Sequence, residues 1–201
     1  MRNIAQREDI RDLILDAVDV LLARYGYKKM TMEDVARQVG IGKGTIYLHF
    51  PGKEEIILSH VDRIAGRAAA RLREIAAGPD PFPVRLRAML LARVLVRFDS
   101  VLHYSQGLSD LLSSVRTALI ARRAGHFETE ARIFEGVLKS GVQAGALDCP
   151  DPKAASRALI QATNALLPFS LSVRELGRRV DVEAQTVRIA DLLIKGLSRK
   201  E

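Results

Sequence analysis

The chain has 201 residues, of which 48% are hydrophobic and 5% aromatic, so it can bury a sizeable core as one compact protein or two small domains. Its formal net charge of +7 favours an anionic partner. Residues 1–53 hold nine Lys and Arg against seven Asp and Glu, and therefore carry only +2 of that charge. Bulk charge does not locate a nucleic-acid site, so any such site depends on a few placed side chains.

Signals for secretion, membrane insertion and disulfide bonding are weak. The acidic Glu8 and Asp9 are unlike the start of a signal peptide. The longest apolar stretches, such as 88–96 with Arg93 inside it, fall short of the roughly 18 residues that a membrane span needs. Cys149 is the only cysteine, so no intrachain disulfide forms, and any redox role of its thiol stays open. We expect a soluble, cytoplasmic protein with no membrane partner.

The N-terminal elements follow a helical period. Apolar positions over 10–21 predict a first helix that ends near Gly26. Thr31, with Asp34 three residues later, predicts a capped second helix. Gly40 follows that helix, where a left-handed residue would end it at little steric cost. A short third helix after this sharp turn completes the pattern of a helix-turn-helix.

The remainder of the chain is also helical in pattern, with no strand alternation of any length. A long helix is expected over about 53–77, followed by the Gly- and Pro-rich break at 78–83. Further helices are expected from about residue 84, near 105–113, over 115–144, from Asp151-Pro152 and from Asp181. The predicted fold is all-α, with about nine helices in total.

Competing functions find little support in the motifs. The glycine-rich run at 40–44 suggests a phosphate-binding loop, but Thr45 replaces the third glycine and no strand precedes the run. Three histidines lie far apart in sequence, at His60, His103 and His126. They do not form a ligand set, so we expect no metal and no cofactor. No nucleophile motif or catalytic carboxylate pair appears, and we do not expect an enzyme.

These residues resemble the TetR family of transcriptional regulators. The resemblance covers about residues 10–57 closely and the later order of helices more weakly. The matching positions are Gly26-Tyr27, Thr31, Val35-Ala36, Gly40-Ile41, Lys43-Gly44, Tyr47, His49-Phe50 and Lys53-Glu54. The resemblance implies a three-helix DNA-binding domain over residues 1–53 and a larger helical effector-binding and dimerisation domain over 54–201.

The resemblance also implies which side chains meet double-stranded DNA. The implied contacts are Thr31, Gly42, Lys43, Gly44, Thr45, Tyr47, His49 and Lys53. Lys43 and Thr45 are candidates for base edges, whereas Tyr47 and His49 can donate hydrogen bonds to phosphates. Gly42 departs from the Ser or Thr that the family often has, which removes up to about 1 kcal/mol of helix capping.

In the larger domain, the resemblance implies an effector pocket and a subunit interface. Polar residues among apolar helices suggest pocket contacts at Arg93, Arg97, His103, Tyr104 and Arg116. Apolar stripes on the last two helices suggest a homodimer interface at Ala155, Leu159, Ala162, Leu166, Val187, Ala190 and Ile194.

Two functional hypotheses follow from the sequence. The first is a homodimeric repressor that binds a near-palindromic operator and is released by a small hydrophobic or amphipathic effector. The second is a helical small-molecule-binding or protein-interaction module without operator binding. The departure at Gly42 and the low charge of residues 1–53 are the only support for the second.

Overall fold

Eight α-helices make up most of the described chain, which covers residues 2–104, 115–168 and 177–197 of a computed structural model. In chain order they are α1 (Arg2–Lys29), α2 (Met32–Val39), α3 (Lys43–His49), α4 (Lys53–Ala76), α5 (Phe82–Val101), α6 (Arg116–Gln143), α7 (Pro152–Thr163) and α8 (Arg179–Lys195). Short 3-10 turns, Leu102–Tyr104 and Asn164–Leu166, follow α5 and α7. No strand occurs in these ranges, which confirms the all-α prediction. The helix expected near 105–113 lies outside them.

Local signals in the sequence place the ends of the first helices. The backbone of Gly26 leaves helical geometry, with φ 70° and ψ 171°, where the first helix was expected to end. At the start of α2, the Asp34 amide donates to Thr31 Oγ1 at 3.1 Å, and the Thr31 amide donates to Asp34 Oδ2 at 3.0 Å. Gly40 adopts φ 78° and donates to the Ala36 carbonyl at 2.9 Å. The predicted cap and the predicted left-handed end of α2 are both confirmed.

The chain divides into two compact units. The first consists of Met1–Arg63 with His103–Ala121, and the second of Ile64–Leu102 with Arg122–Glu201. The first unit therefore extends beyond the boundary expected after residue 53, and that domain boundary stays a prediction. Within the described ranges, no helix combines the length and the apolar character that a membrane crossing requires.

The core of the second unit is built from the apolar faces of five helices. Its fully buried members include Leu72, Leu86, Leu90, Phe134, Leu138, Leu159 and Ala190. Side chains of this size contribute roughly 1.5–3 kcal/mol each when they are removed from water. This burial, rather than helix propensity, accounts for the stability of helices that carry many exposed charges.

The same core takes up side chains that the sequence assigned to the subunit interface. Leu159, Leu166, Ala190 and Ile194 are at most 7% exposed within the single chain. Only Ala155, Ala162 and Val187 of that set remain partly exposed. The apolar stripes of α7 and α8 are therefore largely covered by their own chain, and the predicted subunit interface stays a prediction.

The capping box at α2 gives a stability prediction. Replacing Thr31 with Ala removes the oxygen that accepts the Asp34 amide, and we expect a loss of about 1 kcal/mol in the free energy of unfolding, measured by urea denaturation. Thr31→Ser keeps the hydroxyl and should be nearly neutral. The hydrogen bonds that Thr31 donates to the Asp34 carboxylate lower the pKa of Asp34. The stability that these bonds add should therefore be present above the ordinary carboxyl pKa, and it should be lost as the pH falls through the lowered pKa of Asp34. Equal midpoints for the Ala and Ser variants would rule the cap out.

Candidate nucleic-acid interface

Helix α3 has one buried side and one open side. Ile46 is fully buried and holds the helix against its own unit, as does the buried Phe50 directly after it. On the other side, Tyr47 is 46% exposed and Leu48 is 80% exposed. A short helix that is anchored on one side and open on the other has the form of a recognition helix that enters the major groove.

The predicted contact residues lie on or near this open side. Thr31, Gly42, Lys43, Gly44 and Tyr47 are exposed, whereas Thr45, His49 and Lys53 are half-buried. A Cβ atom added to Gly44 would meet nothing within 4 Å, so the backbone there is open to approach from outside. Sequence reasoning did not single out Leu48, because a large apolar residue in a helix usually points into the core.

The start of α3 lacks the side-chain cap that a hydroxyl would supply. Gly42 occupies the N-cap position in an extended conformation, with φ −67° and ψ 145°, and no side chain accepts from the first amides. The expected departure at this position is therefore present in the structure.

Lys43 is held by a neighbour on α2. Its ammonium donates to the Glu33 carboxylate and lies 5.9 Å from the centroid of the Tyr47 ring. Both side chains are about half exposed, and the contact lowers the pKa of Glu33 and raises that of Lys43. Lys43 therefore stays charged and is held to α2 by this contact.

Lys53 begins α4 beside an aromatic ring. Its Nζ lies 4.2 Å from the centroid of the Tyr27 ring and 3.5 Å from the carbonyl oxygen of Lys28. Partial burial lowers the pKa of Lys53 and raises that of Tyr27. These contacts hold the ammonium at a helix N-terminus, a place that favours phosphate.

Arg11 is a positioning residue that sequence reasoning missed. Its guanidinium donates to the His49 carbonyl at 3.0 Å and to Ser59 Oγ at 3.0 Å, and it stacks on the Phe50 ring at 4.3 Å. One side chain of α1 thus satisfies the last carbonyl of α3 and joins it to α4. The interaction spans 38 and 48 residues of sequence, so no local pattern could indicate it.

Two of the five predicted pocket residues meet in the second unit. Arg93 and Arg97 are buried and share the single carboxylate of Glu130, which is 1% exposed. Arg93 Nε lies 2.9 Å from Glu130 Oε2, and the other guanidinium nitrogens of Arg93 donate to Thr163 and Asn164 at 2.6 Å each. Burial lowers the pKa of Arg93 to about 10 although Glu130 opposes that shift.

The other predicted pocket residues do not join this cluster. His103 and Arg116 are exposed, and the side chain of Tyr104 lies outside the described part of the structure. An open groove of about 630 Å³ in the second unit is lined by none of the five. Its apolar lining includes Ile75, Leu91, Ala92, Leu95 and Val96. The ion pair between Asp99 and Arg179, at 2.7 and 3.1 Å, lines the same groove.

His60 and the single cysteine, Cys149, are both buried. His60 is 2% exposed, and its Nε2 lies 3.6 Å from the Asp19 carboxylate. Cys149 is buried in the core of the second unit, and burial raises the pKa of its thiol, which favours the unreactive protonated form. Among the described residues, no three potential metal ligands gather in one place.

A capped helix, a left-handed glycine turn and an outward-facing second helix define the N-terminal unit as a helix-turn-helix domain. Residues 14–59 match the sequence model of the bacterial regulatory proteins of the tetR family. Over 197 residues the chain is 23% identical to the fatty acid metabolism regulator protein of Bacillus subtilis, covering 93% of this chain and 95% of that one. The helix-turn-helix region thus matches the tetR family of bacterial regulatory proteins, and over nearly its full length the chain is similar to a regulator protein.

Solved structures share this fold over most of the chain. A transcriptional regulator from Cytophaga hutchinsonii superposes with a TM-score of 0.75 at 20% identity, covering 94% of this chain and 98% of that one. The regulator FadR from Bacillus subtilis in complex with stearoyl-CoA superposes with a TM-score of 0.64 at 20% identity, covering 92% and 97%. At these identities the likeness establishes the fold alone.

The shared carboxylate of Glu130 gives a second stability prediction. Glu130→Gln removes the only negative charge that directly pairs with Arg93 and Arg97 in the described chain, so we expect a loss of about 3–5 kcal/mol in the free energy of unfolding. Glu135→Gln, which breaks a more exposed pair with Lys139 on the same helix, should cost about 1 kcal/mol or less. Similar losses in the two variants, measured by urea denaturation, would contradict this role.

Proposed function

We propose that the chain is a cytoplasmic, homodimeric transcriptional repressor that binds a near-palindromic operator and leaves it when an effector binds. The outward face of α3 is the observation that carries the proposal, because it presents Lys43 and Tyr47 on a helix fixed from behind by the buried Ile46. The match of residues 14–59 to the tetR family model supports DNA-binding regulation.

The DNA contacts divide into base readout and phosphate positioning. Lys43 and Thr45 read base edges, after Lys43 exchanges Glu33 for the DNA. Tyr47, His49 and Lys53 donate to phosphates, which fix the register of the helix on the duplex. Thr31 contacts a phosphate from the start of α2, and the open backbone at Gly42 and Gly44 permits close approach. With few basic residues available, affinity depends on the placement of these donors.

The homodimer is proposed to form through the outer faces of α7 and α8. On α8, Leu192 is 74% exposed, so the outer face of this helix carries a large apolar side chain. On α7, Ala154 and Ala158 are exposed, and small residues let a second helix approach closely. Two helices from each subunit would form a four-helix interface, and the two recognition helices would then reach major grooves about 34–36 Å apart.

The effector is proposed to be hydrophobic or amphipathic. A neighbour in fold was solved in complex with stearoyl-CoA, and the second unit of this chain contains both an apolar groove and buried cations. An effector releases the operator only if it binds better to the dimer form with the wrong spacing of recognition helices. Helix α4 begins beside the proposed DNA-contacting residues. We propose that a shift of this helix changes the spacing of the recognition helices when the effector binds.

The DNA-binding surface is tested by replacing two of its side chains. Lys43→Ala and Tyr47→Ala should each weaken binding to an operator duplex, selected from random DNA, by about 10- to 100-fold, because each removes a direct donor. Lys139→Ala, an exposed lysine on α6, is the charge-matched control and should leave affinity unchanged. Wild-type affinity in both α3 variants would refute the assignment of α3. The absence of salt-sensitive duplex binding in the wild type would favour the module without operator binding.

The subunit interface is tested on α8. Leu192→Asp places a charge at the proposed contact and should convert the dimer to a monomer in sedimentation analysis, with helix content unchanged. Val84→Asp changes another exposed apolar residue, 50% exposed on α5, and should leave the dimer intact. A dimer that survives Leu192→Asp would show that its interface lies elsewhere.

A further inference from the structure

Among the described residues of the second unit, two buried guanidiniums share a single buried carboxylate. Arg93 and Arg97 lie one helical turn apart on α5, both at most 1% exposed, and they share one carboxylate. Arg123 on α6 is a third guanidinium near them, half-buried. Arg93 and Arg123 both face the ring of Phe127, and the pKa of Arg123 is lowered by burial first and by the charge of Arg97 second.

The three guanidiniums differ in how well they are satisfied. Arg93 uses all three of its nitrogens, on Glu130, Thr163 and Asn164. Arg97 donates to the Arg93 carbonyl at 2.9 Å and to the same Glu130. Within the described ranges, no carboxylate pairs with Arg123. The surplus charge therefore lies on the side of Arg97 and Arg123.

The partner that the structure shows for Arg123 is aromatic. Its guanidinium carbon lies 5.0 Å from the centroid of the Phe127 ring, and that of Arg93 lies 5.1 Å from the same ring. Arg123, Phe127 and Glu130 are spaced by four and three residues and so share one face of α6. The arrangement places a half-buried cation beside an aromatic ring, whose other contact is the Arg93 that pairs with Glu130.

Burying cations without enough negative charge is unfavourable, and the cost falls when an anion arrives. Arginine is well suited to carboxylate and phosphate, because its planar fork donates two parallel hydrogen bonds. We propose that Arg97 and Arg123 form an anion subsite that receives the carboxylate or phosphate head group of an amphipathic effector, whose apolar chain packs beside Phe127. Glu130 and Arg93 act as positioning residues that hold Arg97. This inference rests on the proposed ligand response and names its chemical class.

The test uses the full-length protein and three matched series of straight-chain probes: carboxylates, alkyl phosphates and uncharged alcohols of increasing length. Thermal unfolding and titration calorimetry measure binding, since a ligand that binds the folded state raises the unfolding midpoint. We expect an anionic probe to bind about tenfold or more tightly than the alcohol of equal length. Whether the carboxylate or the phosphate binds more tightly identifies the head group, and either result supports the subsite.

Two substitutions on α6 locate the binding. Arg123→Gln should weaken the anionic probes about 10- to 100-fold and leave the alcohols unchanged, whereas Arg123→Lys should retain part of the affinity. Arg132→Gln, which removes an exposed arginine paired with Glu128 on the same helix, is the matched control and should bind like the wild type. Failure of every anionic probe, equal binding of anion and alcohol, or wild-type affinity in Arg123→Gln would overturn the inference.

Operator binding without any probe separates this inference from the proposed function. If wild type and Arg123→Gln both bind the selected duplex, but no anion acts through Arg123, the anion subsite is refuted and DNA binding stands. If the wild type binds no duplex, the proposed repressor fails, and tight anion binding through Arg123 still supports the subsite.

Discussion

The carboxylate of Glu130 holds the second unit together in a way that no other described side chain does. It lies on α6, pairs with two buried guanidiniums of α5, and through Arg93 reaches Thr163 and Asn164 at the end of α7. A buried ion pair is rarely more stabilising than a well-packed apolar substitute, but its hydrogen bonds accept only one arrangement. The network therefore sets the register of three helices whose apolar contacts alone would tolerate some sliding.

In the first unit, a partly buried arginine also joins helices that are distant in sequence. Arg11 links α1 to the end of α3 and to α4 through two hydrogen bonds and a stacked Phe50 ring. Because α3 has only seven residues and no side-chain N-cap, its own backbone hydrogen bonds are too few to orient it. Its direction comes from the buried Ile46 on one side and from Arg11 at its C-terminal end. The outward residues, with Leu48 among them, are thereby presented as a fixed set.

The basic side chains of the two units differ in their surroundings. Lys43 donates a hydrogen bond to Glu33, and Lys53 lies over the ring of Tyr27. Both ammonium groups therefore have a contact within the chain itself. Exposed pairs of this kind are weak, and a phosphate or base can replace them at little loss. In the second unit the balance differs, because Arg97 and Arg123 lie where water screens them less. These basic side chains are thus lysines in weak, exposed contacts in the first unit, and arginines that are buried or half-buried in the second.

The sequence by itself determined the features whose partners are a few residues apart. Thr31 with Asp34, the left-handed Gly40, the uncapped Gly42 and the cap of α7 by Asp151 are such features, because their hydrogen bonds close within one helical turn. The helix-turn-helix and the all-α class follow from them and from the helical period. The tertiary structure alone decided which face of α7 and α8 is covered by the chain itself. An apolar stripe shows that a face must be buried, but it does not distinguish the chain's own core from a second subunit. It also decided that Arg11 serves α3 and that Arg93, Arg97 and Glu130 meet, because these contacts join residues 33 to 48 positions apart.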